Sequence, residues 1–363
     1  MSFRIRTLLL ATAAVVSAAA TAQAVELKEV GKIPVKFDAP LQGFDIGWYD
    51  AKTDRYVLAS RGSFDPKDKS NPGNNGLLII DASTDKVIGI AAGTTTARGA
   101  VIVNDGTEAY VGDGDNSIKV VDMKTAKIVA SIPTEANKGG ADELGYSPKD
   151  NVVAMALPDA EPPTLVLINT KDRKIFAKVP VPNASDGFEQ TIYSEVDGMF
   201  HTVVPELGGD PNKGGMLTVD PKTGKQVGEI APIDNCKPHG NFPGVGNELI
   251  IGCNYGQTKD KRPPVQMVFD VKTSKVTATI PGIGGTDMSG ADPGLGLYYT
   301  ASAGNGEGSA LGVIDAKTHT LIQKIPTAGR AHSVAVNTKN HHVYVPEGAT
   351  GGGCGCIRVF APM

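Results

Sequence analysis

The segment IDAKTHTL, residues 314–321, decides the fold, because five related segments recur along the chain. Each begins with a large apolar residue and an Asp or Asn, continues through a short polar turn and ends in the start of a second strand. The Asp or Asn side chain can accept a hydrogen bond from the backbone of its own turn. The related segments are IDASTDKV at 80–87, VDMKTAKI at 121–128, INTKDRKI at 168–175, VDPKTGKQ at 219–226 and FDVKTSKV at 269–276.

Each segment predicts a hairpin, and two further strands fit between consecutive hairpins. One such pair is 334–336 followed by 342–345. The second hairpin strand often ends at a proline, as at Pro133, Pro180 and Pro326, and proline cannot donate a ladder hydrogen bond. The result is a unit of four short antiparallel strands, and the innermost strands of successive units begin 44 to 53 residues apart. Units of this kind are typical of propeller blades. We therefore predict an all-β, seven-bladed β-propeller.

The last blade predicts how the circle of blades closes. The C-terminal strand IRVF at 357–360 is not followed by a fourth strand. The segment VGKIPV at 30–35 is similar to IQKIPT at 322–327, which belongs to an outer strand. We therefore expect an N-terminal strand to complete the last blade and to cover its open sheet edge. Residues 25–363 are expected to form this single domain.

The first 24 residues have the pattern of a signal peptide. Arg4 and Arg6 precede an apolar run at 8–20 that is too short and too rich in alanine for a membrane anchor. The small residues Ala22 and Ala24 fit cleavage after Ala24. We expect a periplasmic protein with no membrane span in the mature chain. Because the net charge is −4 and no basic run occurs, nucleic acid is not an expected partner.

Several of these motifs resemble one known family. The Asp-Ala-Lys-Thr turns, YVP at 344–346 and IPTAGRA at 325–331 resemble the YVTN family of bacterial propellers. That family is similar to propeller lactonases and, more remotely, to the heavy subunit of periplasmic amine dehydrogenases. The resemblance covers nearly the whole mature chain and implies the propeller fold. It implies no single activity, because many unrelated functions share this scaffold.

An alignment of the blades on the start of the innermost strand brings an ionisable residue to the same position in every blade. The chain has 35 Lys and Arg, 39 Asp and Glu and 6 His among 363 residues, so chance rarely fills all seven positions. Because inner strands line the channel of a propeller, we expect a ring at one channel mouth. This polar ring consists of Asp45, Arg98, Asp142, Glu189, His239, Asp287 and His332.

Three interpretations of the polar ring stay open. Carboxylates and imidazoles suit a divalent metal ion, for which we predict the ligands His239, His332, Asp45 and Asp287. Alternatively, His239 or His332 acts as a general base while Arg98 stabilises an oxyanion. A water-filled channel mouth without a ligand also fits, with Arg98 as the counter-charge of crowded carboxylates.

The sequence favours an exported propeller that binds a metal ion or a small polar ligand at the polar ring. One alternative is a metal- or His-assisted hydrolase or lyase, similar to a lactonase, that acts on a small polar substrate. Another is an accessory subunit of a periplasmic redox enzyme, whose partner would be a periplasmic protein. The sequence has no phosphate loop, nucleotide fingerprint or nucleophile elbow, so no nucleotide cofactor is expected. It also lacks Cys-x-x-Cys-His, the motif of covalent haem attachment.

The four cysteines of an exported chain predict disulfides. Cys236 precedes the inner strand of blade 5 and Cys253 ends the next strand. Antiparallel pairing brings these strand ends together, so we predict a disulfide between Cys236 and Cys253. Three states fit Cys354 and Cys356: a local disulfide, which an oxidising compartment favours, a soft-metal site, or two free thiols.

Overall fold

The computed structural model describes residues 25–35, 40–61, 75–254, 262–304 and 308–363. The predicted signal peptide, residues 1–24, lies outside these ranges. Within them, the strands form seven antiparallel sheets, and the protein is an all-β, seven-bladed propeller as predicted. The described part of the chain contains no helix long and apolar enough to cross a membrane.

The first three blades follow the chain from the innermost to the outermost strand. Blade 1 contains β2 (Gly43–Asp50), β3 (Arg55–Arg61), β4 (Gly76–Asp81) and β5 (Lys86–Ala92). Blade 2 contains β6 (Ala97–Val103), β7 (Glu108–Asp113), β8 (Ser117–Asp122) and β9 (Lys127–Pro133). Blade 3 contains β10 (Leu144–Ser147), β11 (Val152–Leu157), β12 (Thr164–Asn169) and β13 (Lys174–Pro180).

The next three blades repeat this order, with one irregularity. In blade 4 the outer strand is split in two, and both parts pair with the third strand. Blade 4 contains β14 (Thr191–Ser194), β15 (Met199–Val204), β16 (Gly215–Asp220), β17 (Lys225–Gln226) and β18 (Ala231–Pro232). Blade 5 contains β19 (Pro238–Pro243), β20 (Glu248–Cys253), β21 (Val265–Asp270) and β22 (Lys275–Pro281). Blade 6 contains β23 (Thr286–Asp292), β24 (Leu297–Ser302), β25 (Ala310–Asp315) and β26 (Thr320–Pro326).

The N-terminal strand closes the last blade, as the sequence predicted. Blade 7 contains β27 (Ala335–Asn337), β28 (His342–Glu347), β29 (Cys356–Pro362) and β1 (Leu27–Pro34). Strand β1 pairs antiparallel with β29, from Leu27 opposite Pro362 to Pro34 opposite Cys356. Leu27 and Ile33 are only 1% exposed, so the closing strand is anchored in the core as well as hydrogen bonded.

The repeated segments form the predicted hairpin turns. In the turn between β25 and β26, the Asp315 carboxylate accepts hydrogen bonds from the Thr318 backbone N–H (2.7 Å) and hydroxyl (2.8 Å). Asp270 and Thr273 make the same two bonds in blade 5. The following residue has a left-handed backbone, as His319 does with a φ of 51°. The turn therefore repeats in chemistry and in conformation.

The core lies between adjacent blades. The middle strands are buried on both faces, as in β11, whose six residues are all buried. Outer strands such as β13 instead alternate between exposed and half-buried residues, the pattern of a strand with one solvated face. At the junction of blades 7 and 1, Tyr344 and Tyr56 stack with ring centroids 5.1 Å apart. This packing fixes the blades relative to each other and so fixes the inner strands.

Candidate functional site

The polar ring lies at the start of the inner strands, where each of its residues stands outside the regular ladder. In blades 3, 4 and 7 the ring residue precedes the first strand. In the other four blades the pairing of the first two strands shifts register at the ring residue. Bulges of this kind re-aim a side chain and are frequent at functional sites. The residues at these shifts are Asp45, Arg98, His239 and Asp287.

The approach to the polar ring is also constrained in blades 4 to 7. There the residue two positions before the ring residue has a φ between 50° and 69°. In blades 5 and 7 it is not a glycine, and its carbonyl oxygen accepts a hydrogen bond from a ring histidine. His239 Nδ1 donates to the Lys237 carbonyl at 2.9 Å, and His332 Nδ1 donates to the Arg330 carbonyl at 2.6 Å. Each Nε2 lone pair is therefore left to bind a metal ion or a proton.

Three ring residues from adjacent blades form a candidate metal site. One ligand atom from each of Glu189, His239 and Asp287 lies within 4.8 Å of the other two. His239 Nε2 is 3.4 Å from Glu189 Oε1. Two atoms bound to one ion at about 2.1 Å lie about 3.0 to 3.4 Å apart at octahedral or tetrahedral angles. The spacing of His239 and Glu189 therefore suits a shared cation, and a carboxylate oxygen of Asp287 lies within 4.8 Å of both.

Ion pairs neutralise two other carboxylates of the polar ring. Arg98 Nη1 donates to Asp142 Oδ2 at 2.8 Å and so links blades 2 and 3. Burial raises the pKa of Asp142, and Arg98 opposes that rise. Arg61, at the end of β3, pairs with Asp45 and donates from Nε to the Ala97 carbonyl at 3.1 Å. Arg98 therefore lies where a counter-charge of the ring carboxylates is needed, which is one of the two roles that the sequence suggested for it.

His332 is held rigidly beside Asp45. Its Nε2 is 3.5 Å from Asp45 Oδ1. The Phe44 ring stacks on the imidazole with centroids 4.7 Å apart and planes 13° apart. The structure therefore places the predicted metal ligands His332 and Asp45 as a neighbouring pair and joins His239 and Asp287 with Glu189.

Burial shifts the pKa of two triad residues, Glu189 and His239, and of two neighbouring groups. It raises the pKa of Glu189 well above its ordinary value, and the Asp287 carboxylate raises it further. Burial also raises the pKa of Glu143 well above its ordinary value, and Glu189 adds repulsion. The pKa values of His239 and His332 are lowered, again chiefly by burial. Both imidazoles are thus neutral at pH 7, whereas the two glutamates favour a nearby cation or a retained proton.

Three residues of this site were missed in the sequence. Glu143 is 5% exposed, and its Oε2 has no hydrogen-bond partner among the described residues. It directly follows Asp142, and in the other six blades the corresponding residue is not ionisable. This difference between the blades could have identified Glu143 from the sequence. Arg61 lies opposite Gly43 on the second strand, and the Arg330 charge acts on His332. Neither arginine occupies the repeated position, so the alignment of blades did not reveal them.

An aromatic pair narrows the channel beyond the polar ring. Trp48 of blade 1 and Phe242 of blade 5 have ring centroids 5.6 Å apart. Blades 1 and 5 stand nearly opposite each other in a circle of seven, so this pair bridges the channel. The polar ring therefore surrounds the channel mouth on one side of this aromatic pair, and we call that mouth the recess of the polar ring.

Both predicted disulfides are present. Cys236 and Cys253 are bonded with Cα atoms 4.7 Å apart, and Cys354 and Cys356 with Cα atoms 5.2 Å apart. The local disulfide is thus the one of the three states of Cys354 and Cys356 that the structure shows. The Cys236–Cys253 bond ties the start of β19, beside His239, to the end of β20.

Comparison with known proteins identifies the fold. No family model matches the chain, and no curated protein matches it significantly. Among solved structures, Kuenenia stuttgartiensis hydrazine synthase is similar, with a TM-score of 0.68 and 15% sequence identity. The match covers 90% of this chain and 96% of that chain. Identity at this level shows the propeller fold alone, and the resemblance to the YVTN family stays a prediction.

Proposed function

We propose that this protein binds a divalent metal ion at Glu189, His239 and Asp287, and that the ion holds a small anionic ligand in the recess of the polar ring. The observation that carries the proposal is the triad itself. Three adjacent blades bring one ligand atom each within 4.8 Å, and the His239 imidazole is fixed with its Nε2 lone pair free. Three protein ligands leave coordination positions for water or for a ligand.

The ligand set favours a first-row ion. One imidazole and two carboxylates suit Mn²⁺, Fe²⁺ or Zn²⁺, because imidazole is a poor ligand for the harder ions Mg²⁺ and Ca²⁺. The neutral state of His239 supports this choice, since a protonated imidazole does not bind a metal.

The charges around the triad favour an anionic ligand. Asp45 and Asp142 are neutralised by Arg61 and Arg98, and a divalent ion balances the two triad carboxylates. The raised pKa of Glu143 favours its neutral form. The Arg330 guanidinium has no ion pair within the described ranges and adds positive charge close to the recess. The loaded site is therefore cationic and attracts a carboxylate or a similar small anion.

Export to the periplasm is part of this proposal. The signal-peptide pattern supports it, and the two disulfides fit an oxidising compartment.

Elemental analysis tests the metal site. Protein exported and purified without chelators or affinity metals should contain one divalent ion per chain, measured by plasma mass spectrometry. The double variant Glu189→Gln, His239→Gln should lose it. The matched control is Glu248→Gln, His319→Gln, which removes another Glu–His pair, 3.0 Å apart and remote from the triad. Protein without metal, or a triad variant that keeps it, contradicts the proposal.

Catalysis by a His-assisted hydrolase or lyase is the second candidate, and the geometry of His332 favours it. Its Nδ1 proton is committed to the Arg330 carbonyl, so Nε2 is oriented as a general base. Hydrolysis of simple lactones that His332→Gln abolishes, without a change in metal content, would support this activity. The alternative of a redox accessory subunit gains nothing from the likeness to hydrazine synthase, which shows the fold alone.

A further inference from the structure

A second recess lies at the opposite mouth of the channel. It has a volume of about 460 Å³ and is formed by the carboxyl ends of the inner strands of blades 1 to 5. The chain has one Trp, nine Tyr and ten Phe, and five of these residues, all half-buried, line this recess. They are Trp48, Tyr49, Tyr146, Tyr193 and Phe242.

This aromatic recess is separate from the polar ring. The ring residues start the inner strands, whereas the aromatic residues end them. Trp48 follows Asp45 by three residues, which is about 10 Å along a strand. The pair of Trp48 and Phe242 stands between the two mouths. A ligand of one site therefore does not contact the other.

Most of the charged groups around the aromatic recess have partners of their own, and Glu195, which also lines it, is exposed to solvent. Lys52 pairs with Asp105 at the rim. Glu248 accepts hydrogen bonds from the Tyr298 hydroxyl and from His319 Nε2. Buried aliphatic side chains complete the inner wall. The described interior wall therefore offers mainly aromatic faces and apolar surface.

Exposed apolar residues lie beside the same recess. Val196, in the turn after β14, is 44% exposed and lines it. Val245, in the turn after β19, is 38% exposed. A mouth with exposed apolar side chains above half-buried rings is typical of a site for an apolar ligand.

We infer that the aromatic recess binds an uncharged aromatic molecule of about two to three rings, a size that its volume accommodates. Rings from four blades, Trp48, Tyr146, Tyr193 and Phe242, surround the bound molecule on several sides. Aromatic ligands gain stacked and edge-to-face contacts from such a wall. The carboxylates around it, among them Asp105 and Glu195, make the site a poor one for the anions that the polar ring attracts.

Trp48 provides a direct assay because it is the only tryptophan of the chain. The probe is N-phenyl-1-naphthylamine, which is uncharged and emits strongly in apolar surroundings. We expect saturable binding of one probe per chain, with energy transfer that quenches Trp48 emission. Phe242→Ser should weaken the probe affinity about tenfold, because it removes one aromatic wall. The matched control Phe176→Ser removes an aromatic residue that is 45% exposed on β13, and it should leave affinity unchanged.

Two further variants decide the interpretation. Tyr193→Ser removes a different wall and should also weaken binding, so the inference stays testable if Phe242→Ser does not fold by circular dichroism. Glu189→Gln should leave probe affinity unchanged, because it alters only the polar ring. The inference is overturned by the absence of saturable binding, by wild-type affinity in the folded wall variants, or by an equal loss of affinity in Phe176→Ser or Glu189→Gln.

Discussion

Gly240 sets the spacing between the inner strands of blades 5 and 6, so Gly240→Ala should move His239 relative to Asp287 without altering any ligand. A Cβ at this position would lie 2.9 Å from the Ser289 Oγ, 3.1 Å from the Ser289 N and 3.2 Å from the Asp287 carbonyl oxygen. Comfortable non-bonded contacts begin near 3.5 Å. The Ser289 hydroxyl can rotate away, but the two backbone atoms cannot. The strands must therefore separate by about 0.3 to 0.5 Å.

Both stability and metal affinity should respond to this separation. Overpacking a well-packed contact costs about 1 to 3 kcal/mol. Unfolding a domain of about 340 residues changes the entropy by about 0.7 kcal/mol/K near 60 °C, so the Tm should fall by about 1.5 to 4 °C. A metal site tolerates errors of only about 0.2 Å in its ligand distances. We therefore expect the Kd for the metal to rise about tenfold or more.

Calorimetric titration with Mn²⁺ and thermal unfolding measure the two effects. The matched control is Gly31→Ala, because a Cβ at Gly31 would meet nothing within 4 Å and its φ is not left-handed. This control should keep the wild-type Kd. If Gly240→Ala lowers the Tm but binds Mn²⁺ as tightly as the wild type, then the contact between these strands does not position the metal site, and the triad loses its structural support.

Two further predictions concern pH and the closing strand. Because the pKa of Glu189 is raised, the folded apoprotein binds its proton more tightly than the unfolded chain does. Its stability should fall as pH rises through that pKa, and the Tm increase given by Mn²⁺ should grow over the same interval. Thermal unfolding between pH 5 and 8 tests this, and a metal effect independent of pH would contradict it. Ile33→Ala should lower stability by about 2 to 5 kcal/mol, because Ile33 is 1% exposed in the core. Val30→Ala, 49% exposed on the same strand, should change it by less than about 0.5 kcal/mol, and denaturant unfolding in which both variants behave alike would count against an anchored closing strand.

The blades were predictable because their turn chemistry is local. The bonds between Asp315 and Thr318 span three residues, so the sequence shows them directly. The closing strand was predictable because its motif repeats that of an outer strand. The split outer strand of blade 4 was not predictable, since VDPKTGKQ is similar to the other five segments. The strand breaks at Gly228, whose φ is 68°. This left-handed residue lies outside the repeated segment, so a comparison of the segments does not reveal it.

The positions of the ring residues were predictable from the sequence, but the contacts between their side chains were not. Every ring residue shares a register position, and that periodicity is visible in the sequence. The pairings depend on which side chains meet across blades, and on residues outside the repeat. Arg61 neutralises Asp45 from the end of a second strand. Glu189, rather than Asp45, lies beside His239 and Asp287. Long-range electrostatic partners of this kind leave no trace in a single sequence.

The order of charges around the channel mouth favours the proposed cation at Glu189. Arg98 and Asp142 join blades 2 and 3 with opposite charges, and Asp45 lies against His332 where blades 1 and 7 meet. At the junction of blades 3 and 4, the charge of Glu189 instead acts on the buried carboxyl group of Glu143 and raises its pKa. Only a proton or a cation relieves that repulsion. A metal ion bound by Glu189, His239 and Asp287 would supply the missing positive charge, and its removal should therefore first loosen blades 4, 5 and 6, which carry these three ligands.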